Sequence, residues 1–320
     1  TLHCIYYVDN CFLVVLSFYR ESMIPISATN NQFILQSTYP IASSVSIVCG
    51  MSVYINDRLE WVKQAVESVL NQTLPADLFM IVLDGEVADD VAIYLTQVEK
   101  ENPNLALVHG ITNKGLSACM NYIIDSTLPL NPRYFFRMDA DDICVPHRFE
   151  KQATLLDKHD DVDVLGSALW EVDEQGNRAG IRRLPLTHSK LLYAFSRRCP
   201  INHPTVAIRY SVFARGHRYL PNMRNTQDYF LWIALAEDGC KFANVKEPLL
   251  HFRRINGFYK RRGRGKSVNE FKARLLAMDS FKQKSLQNYC YALFVLILRM
   301  MPSWIIKVAY KADRFILGLN

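Results

Sequence analysis

Across residues 45–254 the apolar positions fall into two alternating rhythms. Residues 45–54, VSIVCGMSVY, form an apolar, β-branched run of the kind a strand buried on both faces requires. In the NDRLEWVKQAVESVLNQ that follows, Leu59, Val62, Val66, Val69 and Leu70 recur at helical spacing, and Asp57 with Glu60 three residues on reads as an N-terminal capping pair. The alternation continues: DLFMIVLDG predicts a strand, DDVAIYLTQVEKEN a helix, LALVHG a short strand, GLSACMNYIIDST a helix, and RYFFRMDADD a strand running into a loop. Beyond Val145 the spacing predicts a helix over 146–158, a strand and turn in VDVLGSALWEVDEQGNR, a further strand in NHPTVAIRYSVF and a helix in TQDYFLWIALAEDG.

Strands alternating with helices of these lengths predict βαβ units, hence an α/β fold with a mostly parallel sheet flanked by helices. Ligands of such sheets bind outside the carboxyl ends of the strands. Asp84 and the cluster Asp139, Asp141 and Asp142 fall at those ends. No internal repeat and no linker rich in Gly, Ser or Pro divides residues 45–254, which read as one domain. Residues 1–44 show neither periodicity nor motif and are set apart as an N-terminal extension, with Met23 a candidate native start. Residues 255–288 read as a basic loop and helix, and 289–320 as amphipathic interfacial helices.

Composition narrows the classes. Half the residues are apolar and 21% are charged, which is globular rather than disordered. The net charge of +6 is concentrated in residues 253–266, RRINGFYKRRGRGK, with seven Lys or Arg and no acid. That pattern suits a local anion site or a surface for acidic lipid. An RNA-binding reading needs interleaved aromatics, and only Phe258 and Tyr259 fit, so no nucleic-acid partner is expected. The eight cysteines lack CxxC spacing and read as thiols of a reducing compartment. No apolar run reaches eighteen residues, and CFLVVLSFY at 11–19 lacks the basic flank of a signal peptide.

Asp139 and Asp141, separated by Ala140, would project to the same side of an extended loop, as two oxygen ligands for Mn2+ or Mg2+ do. The competing reading makes Asp142 the cap of the helix opened by Pro146 and leaves its neighbours solvated.

MSVY closing the first strand, NQT after the first helix, IVLDG, NKGLSACMN, RMDADD with PHRFEKQ, NHPTVAI, and QDYFLWIAL with PLLHFRR stand in the order found in bacterial family 2 glycosyltransferases of the GT-A, Rossmann-like fold, which residues 45–254 resemble. NGFYKRRG and LRMMPSWIIKVAYKADR are similar to the subgroup that builds exopolysaccharide or lipopolysaccharide repeat units, of the amylovoran-biosynthesis type. The resemblance implies that Ser52, Tyr54 and Asp84 line the nucleotide-base pocket, that Asp139 contacts ribose or supports the metal, that Asp141 is the direct metal ligand of a DXD motif, and that Asp228 is the catalytic base. Gln227 stands where the family commonly has Glu, and Leu83 where many relatives have a first Asp. With one base and direct attack, the family's reaction inverts the anomeric centre. The donor is then a nucleotide-sugar, taken as a UDP-sugar, and the acceptor a lipid-linked glycan; an inactive scaffold acting as a nucleotide-sugar-binding or assembly subunit is the alternative.

Outside those motifs, His251 is either a third metal ligand or a satisfied strand-end residue, and His203 reads as part of the acceptor-side wall. Arg253, Arg254, Lys260, Arg261 and Arg262 are candidates for the donor diphosphate, or else a lipid-facing patch. Residues 289–319 are apolar but interrupted by Arg299, Pro302, Lys307 and Lys311, which fits helices lying on a membrane surface, with paired core helices the alternative. That places the chain at the cytoplasmic face of the bacterial inner membrane, as a peripheral protein.

Overall fold

The computed structural model describes residues 32–221, 225–254 and 264–301. The candidate start at Met23 and the basic residues Lys260, Arg261 and Arg262 lie outside these, as does the tail from Pro302.

Ten strands form one sheet: β1 (Phe33–Gln36), β2 (Ile47–Val53), β3 (Leu78–Leu83), β4 (Leu105–Gly110), β5 (Tyr134–Asp139), β6 (Ile143–Cys144), β7 (Val164–Val172), β8 (Arg178–Arg182), β9 (Ala207–Arg209) and β10 (Phe242–Arg253). Their order is β1-β4-β3-β2-β5-β9-β7-β10-β6, with β8 paired to β7. The run β4-β3-β2-β5 is parallel, as is β7 with β10, while β9 is antiparallel to both β5 and β7. Helices α1 (Leu59–Leu70), α2 (Asp89–Glu101) and α3 (Leu116–Thr127) are the crossovers that parallel neighbours require. The remaining helices are α4 (Arg148–Lys158), α5 (His188–Phe195), α6 (Tyr210–Ala214), α7 (Gln227–Glu237), α8 (Arg264–Ser280) and α9 (Leu286–Met300).

From β2 the chain winds outward through β3 and β4, then returns to the other side of β2 as β5. The strand order therefore reverses between β2 and β5, where an open α/β sheet leaves a crevice at its carboxyl edge. Ser52 and Asp139 face each other in register across that junction.

The two faces of β5 divide the core. Phe136 lies 4.3 Å from the Phe149 ring of α4, whereas Phe135 meets Tyr210 and Phe213 edge-on on the other side. Close packing there leaves no room for a side chain at Gly50 of β2, whose Cβ would come within 2.8 Å of the Phe135 ring.

Three local expectations are corrected. Asp57 does not cap α1, whose N-cap is Arg58 without a side-chain bond; the Asp57 carboxylate instead accepts the Tyr54 N–H at 2.9 Å. NHPTVAIRYSVF is not one strand, because Pro204 opens a 3-10 turn at His203–Thr205, β9 takes only three residues, and the chain re-enters a helix at Tyr210. Asp142 does not cap α4, which starts from His147. The segment set apart as an extension also contributes β1, an edge strand antiparallel to β4.

Candidate active site

β5 ends on Asp139, and the chain turns at once into the two-residue β6, which pairs antiparallel with β10. The DADD loop is thus held between two strands. One carboxylate oxygen from each of Asp139, Asp141 and Asp142 lies within 4.8 Å of the others. Asp142 is fully buried; its Oδ1 accepts the main-chain N–H of Arg253 at 3.0 Å, and its Oδ2 has no partner among the described residues. Asp139 is ion-paired to the buried guanidinium of Arg137. Burial, and then the charge of Asp139, push Asp141 up to about 6. Asp142 is raised by burial and by the charges of Asp141 and Asp139. Three carboxylates this close repel one another unless protonated or bridged by a cation. Hard oxygen donors with one buried oxygen unpaired fit a divalent ion such as Mn2+ or Mg2+.

Arg253 holds the loop in place. Its Nε donates to the Asp141 main-chain oxygen at 2.9 Å, Nη1 to the Glu174 main-chain oxygen at 2.9 Å and Nη2 to Oε1 of Gln64 at 2.5 Å. With every side-chain nitrogen engaged and its guanidinium over the Trp61 ring, Arg253 is a structural clasp; the expectation that it reaches a diphosphate is corrected.

Asp84 follows β3 and is buried. Its two oxygens accept the N–H groups of Lys114 (2.6 Å) and Gly115 (2.9 Å), which fixes the turn into α3. Gly85 makes this turn possible: φ is +79°, and a Cβ would lie 2.6 Å from the Asn113 nitrogen. Ser52 is half-buried on β2 beside Asp139, and Tyr54 begins the loop that Asp57 closes.

Asp228 lies in the first turn of α7, an apolar helix whose residues 229–235 are all buried. Burial raises its carboxyl above the ordinary range, opposed by the Tyr229 N–H and the charges of Lys266 and Arg137. The Cys199 thiol lies 3.8 Å from its Oδ2. His203 is buried, its Nε2 2.9 Å from the Tyr219 hydroxyl, and burial together with Arg137 holds its pKa well below the usual imidazole value.

His251 is not part of the aspartate group. It lines a separate cleft of about 940 Å³ with Trp170, Arg178, Glu67 and Glu247, and burial and Arg178 lower its pKa. Arg137, which pattern reading passed over, and Arg253, which it gave another role, organise the site; the signal for Arg137 was an arginine inside the apolar run YFFRM.

The solved structure of S. aureus TarS 1–349 in complex with UDP-GlcNAc superposes with a TM-score of 0.52 at 14% identity, covering 81% of this chain and 82% of that one, a likeness of fold. An uncharacterized glycosyltransferase of Haemophilus influenzae is 32% identical over 82% of this chain and 96% of its own length. The amylovoran biosynthesis glycosyltransferase AmsE of Erwinia amylovora is 29% identical over 82% and 97%. A UDP-Gal:alpha-D-GlcNAc-diphosphoundecaprenol beta-1,3-galactosyltransferase of Escherichia coli is 29% identical over 70% and 80%. The "Glycosyl transferase family 2" model matches residues 51–216, which carry the β2–β5 crevice and the aspartate loop, and on these grounds the chain belongs to glycosyl transferase family 2.

Proposed function

We propose that this glycosyltransferase moves a sugar from a nucleotide-sugar, a UDP-sugar, to a hydroxyl of a lipid-linked surface-polysaccharide intermediate, with inversion at the anomeric carbon. The observation that carries the reading is the convergence of Asp139, Asp141 and Asp142 at the strand-order reversal, opposite Ser52. Ser52, Tyr54 and Asp84 would receive the base, each Asp84 oxygen keeping one further lone pair beyond its main-chain N–H. Asp141, supported by Asp139 and Asp142, would hold Mn2+ or Mg2+, whose charge would neutralise the departing nucleoside diphosphate. Arg261 and Arg262 are assigned to the same diphosphate.

Asp228 is the base. Its carboxylate accepts the proton of the acceptor hydroxyl as that oxygen bonds to the anomeric carbon and the bond to the diphosphate breaks. A carboxylate raised by burial is matched to that task better than a solvated one. His203, buried and neutral, contributes shape to the acceptor side. The relatives support a polysaccharide role: AmsE by its name, and the E. coli enzyme by an acceptor linked through a diphosphate to undecaprenol. Among the described residues no helix is long and apolar enough to cross a membrane, but α9 presents an exposed apolar side, which supports attachment to the cytoplasmic face of the inner membrane. In this reading residues 45–254 are the transfer domain, 255–288 a basic loop and helix, and 289–320 the membrane-facing end.

The test is a donor panel of UDP- and GDP-sugars with Mn2+, followed by nucleoside diphosphate release and by titration of UDP and GDP against wild type and Asp141→Ala. Metal-dependent binding of one diphosphate, lost in the variant, supports the reading. If wild type binds neither, with or without metal, the chain is an assembly scaffold instead.

A further inference from the structure

Arg137 stands two residues before Asp139 on β5, so the alternation of a strand puts both on one face. It is 2% exposed, inside a strand whose other interior positions are Phe135, Phe136 and Met138. Nη2 is paired with Asp139, while Nε and Nη1 have no partner among the described residues. An arginine retained only for stability would be fully paired or replaced by an apolar residue of similar volume, since a half-satisfied buried cation is a net cost. Its charge is felt by other groups of the site. His203 and Tyr219, joined at 2.9 Å, are close enough to feel its charge, and so are Asp141, Asp142 and Asp228. Arg137 is thus bound to the aspartate loop through Asp139, and its charge reaches the carboxylate assigned as base.

We propose that Arg137 is a positioning residue of the transfer site: its buried guanidinium fixes the orientation of the Asp139 carboxylate in the aspartate loop. This rests on the reading of the aspartates as the donor and metal site. The role calls for a guanidinium anchored in the sheet, because a planar fork holds one carboxylate orientation where a single ammonium does not.

The experiment is a double-mutant cycle of Arg137→Met and Asp139→Asn on the full chain, with Arg137→Lys as the conservative variant. Binding of Mn2+ with UDP and with GDP is read by calorimetry and by the electron paramagnetic resonance spectrum of the ion, beside thermal melting. The expected result is at least a tenfold loss for each single variant, a double variant no weaker than the worse single, and a three- to tenfold loss for Arg137→Lys. A folded Arg137→Met that binds within twofold of wild type overturns the proposal, as do losses that multiply in the double variant. Should Arg137→Met not fold, Arg137→Lys decides alone: wild-type binding and spectrum overturn it. Absence of binding by wild type overturns the donor-site reading itself and is recognisable because it precedes any variant.

Discussion

Arg253 reaches the aspartate loop twice, its main-chain N–H donating to Oδ1 of Asp142 at 3.0 Å and its Nε donating to the main-chain oxygen of Asp141 at 2.9 Å. β10 thereby fixes the loop that leaves β5, although more than a hundred residues separate them. Arg253→Met keeps the main-chain bond but strips the side-chain donors from Asp141, Glu174 and Gln64. The expected loss is about 2–4 kcal/mol by denaturant unfolding, with weakened Mn2+ binding. Arg253→Lys should not rescue it, because one ammonium cannot meet three diverging acceptors. A lysine variant as stable as wild type would show that charge alone, not the fork, does the holding.

Asp141 carries the opposite balance, between function and stability. Burial and Asp139 raise its folded pKa to about 6, so the proton is held more tightly folded than unfolded. The stabilisation this gives is fully present below the unfolded pKa and is lost as pH rises through about 6. Metal-free protein should therefore melt higher near pH 5 than near pH 7.5, with this site contributing on the order of 1–3 kcal/mol, discounted for partial exposure. Asp141→Asn removes the ionised form, and at pH 7.5 it should raise the melting temperature of metal-free protein by roughly 2–4 °C while abolishing Mn2+ binding. A lowered melting temperature would mean that the carboxylate is needed for the fold.

The sheet was legible because β2 to β5 and their crossovers keep a clean period, and boundaries agreed to within two residues for α2, α3 and β4. The aspartate loop was legible because carboxylates directly after a buried strand have few reasons to be there. The roles of Arg253 and Arg137 were not, since each depends on a partner's position in space. Arg253 looked like the first member of a basic run, and only the pairing of β10 with β6 turns it toward Asp142. The caps failed for a related reason: Asp57 and Asp142 found N–H partners other than helix termini, a competition that spacing alone does not register.

For Asp228 the expected signature is kinetic. Asp228→Asn is nearly isosteric and should leave nucleoside diphosphate binding within about twofold while lowering kcat by roughly 100- to 10,000-fold. Its raised pKa sets the pH profile: the group acts as base only when ionised, so activity falls as pH drops through its folded pKa. The acid limb should lie above the ordinary carboxylate range, and it should shift or vanish in the variant. A variant with wild-type kcat and an unchanged acid limb would remove Asp228 from the chemistry.

α9 turns an apolar side to solvent. Leu286, Leu293, Phe294, Ile297 and Met300 are 80%, 51%, 61%, 47% and 58% exposed, whereas Asn288 and Ala292 are its buried positions. The spacing 286, 293, 297, 300 keeps the exposed side chains along one side of a helix about 22 Å long, so the helix can lie flat on a bilayer without spanning it. Lys282, exposed, stands just before the helix, where it can meet anionic headgroups. The full chain should co-sediment with vesicles containing phosphatidylglycerol more than with neutral phosphatidylcholine vesicles, and less as salt rises. Phe294→Glu with Ile297→Glu should weaken that binding at least tenfold, since burying each apolar side chain is worth about 1.5–3 kcal/mol. Neither position is buried in the fold, so the melting temperature should hold. If wild type stays in the supernatant with both lipids, the exposed side of α9 serves another contact; if the double variant sediments as wild type does, membrane attachment does not run through this helix.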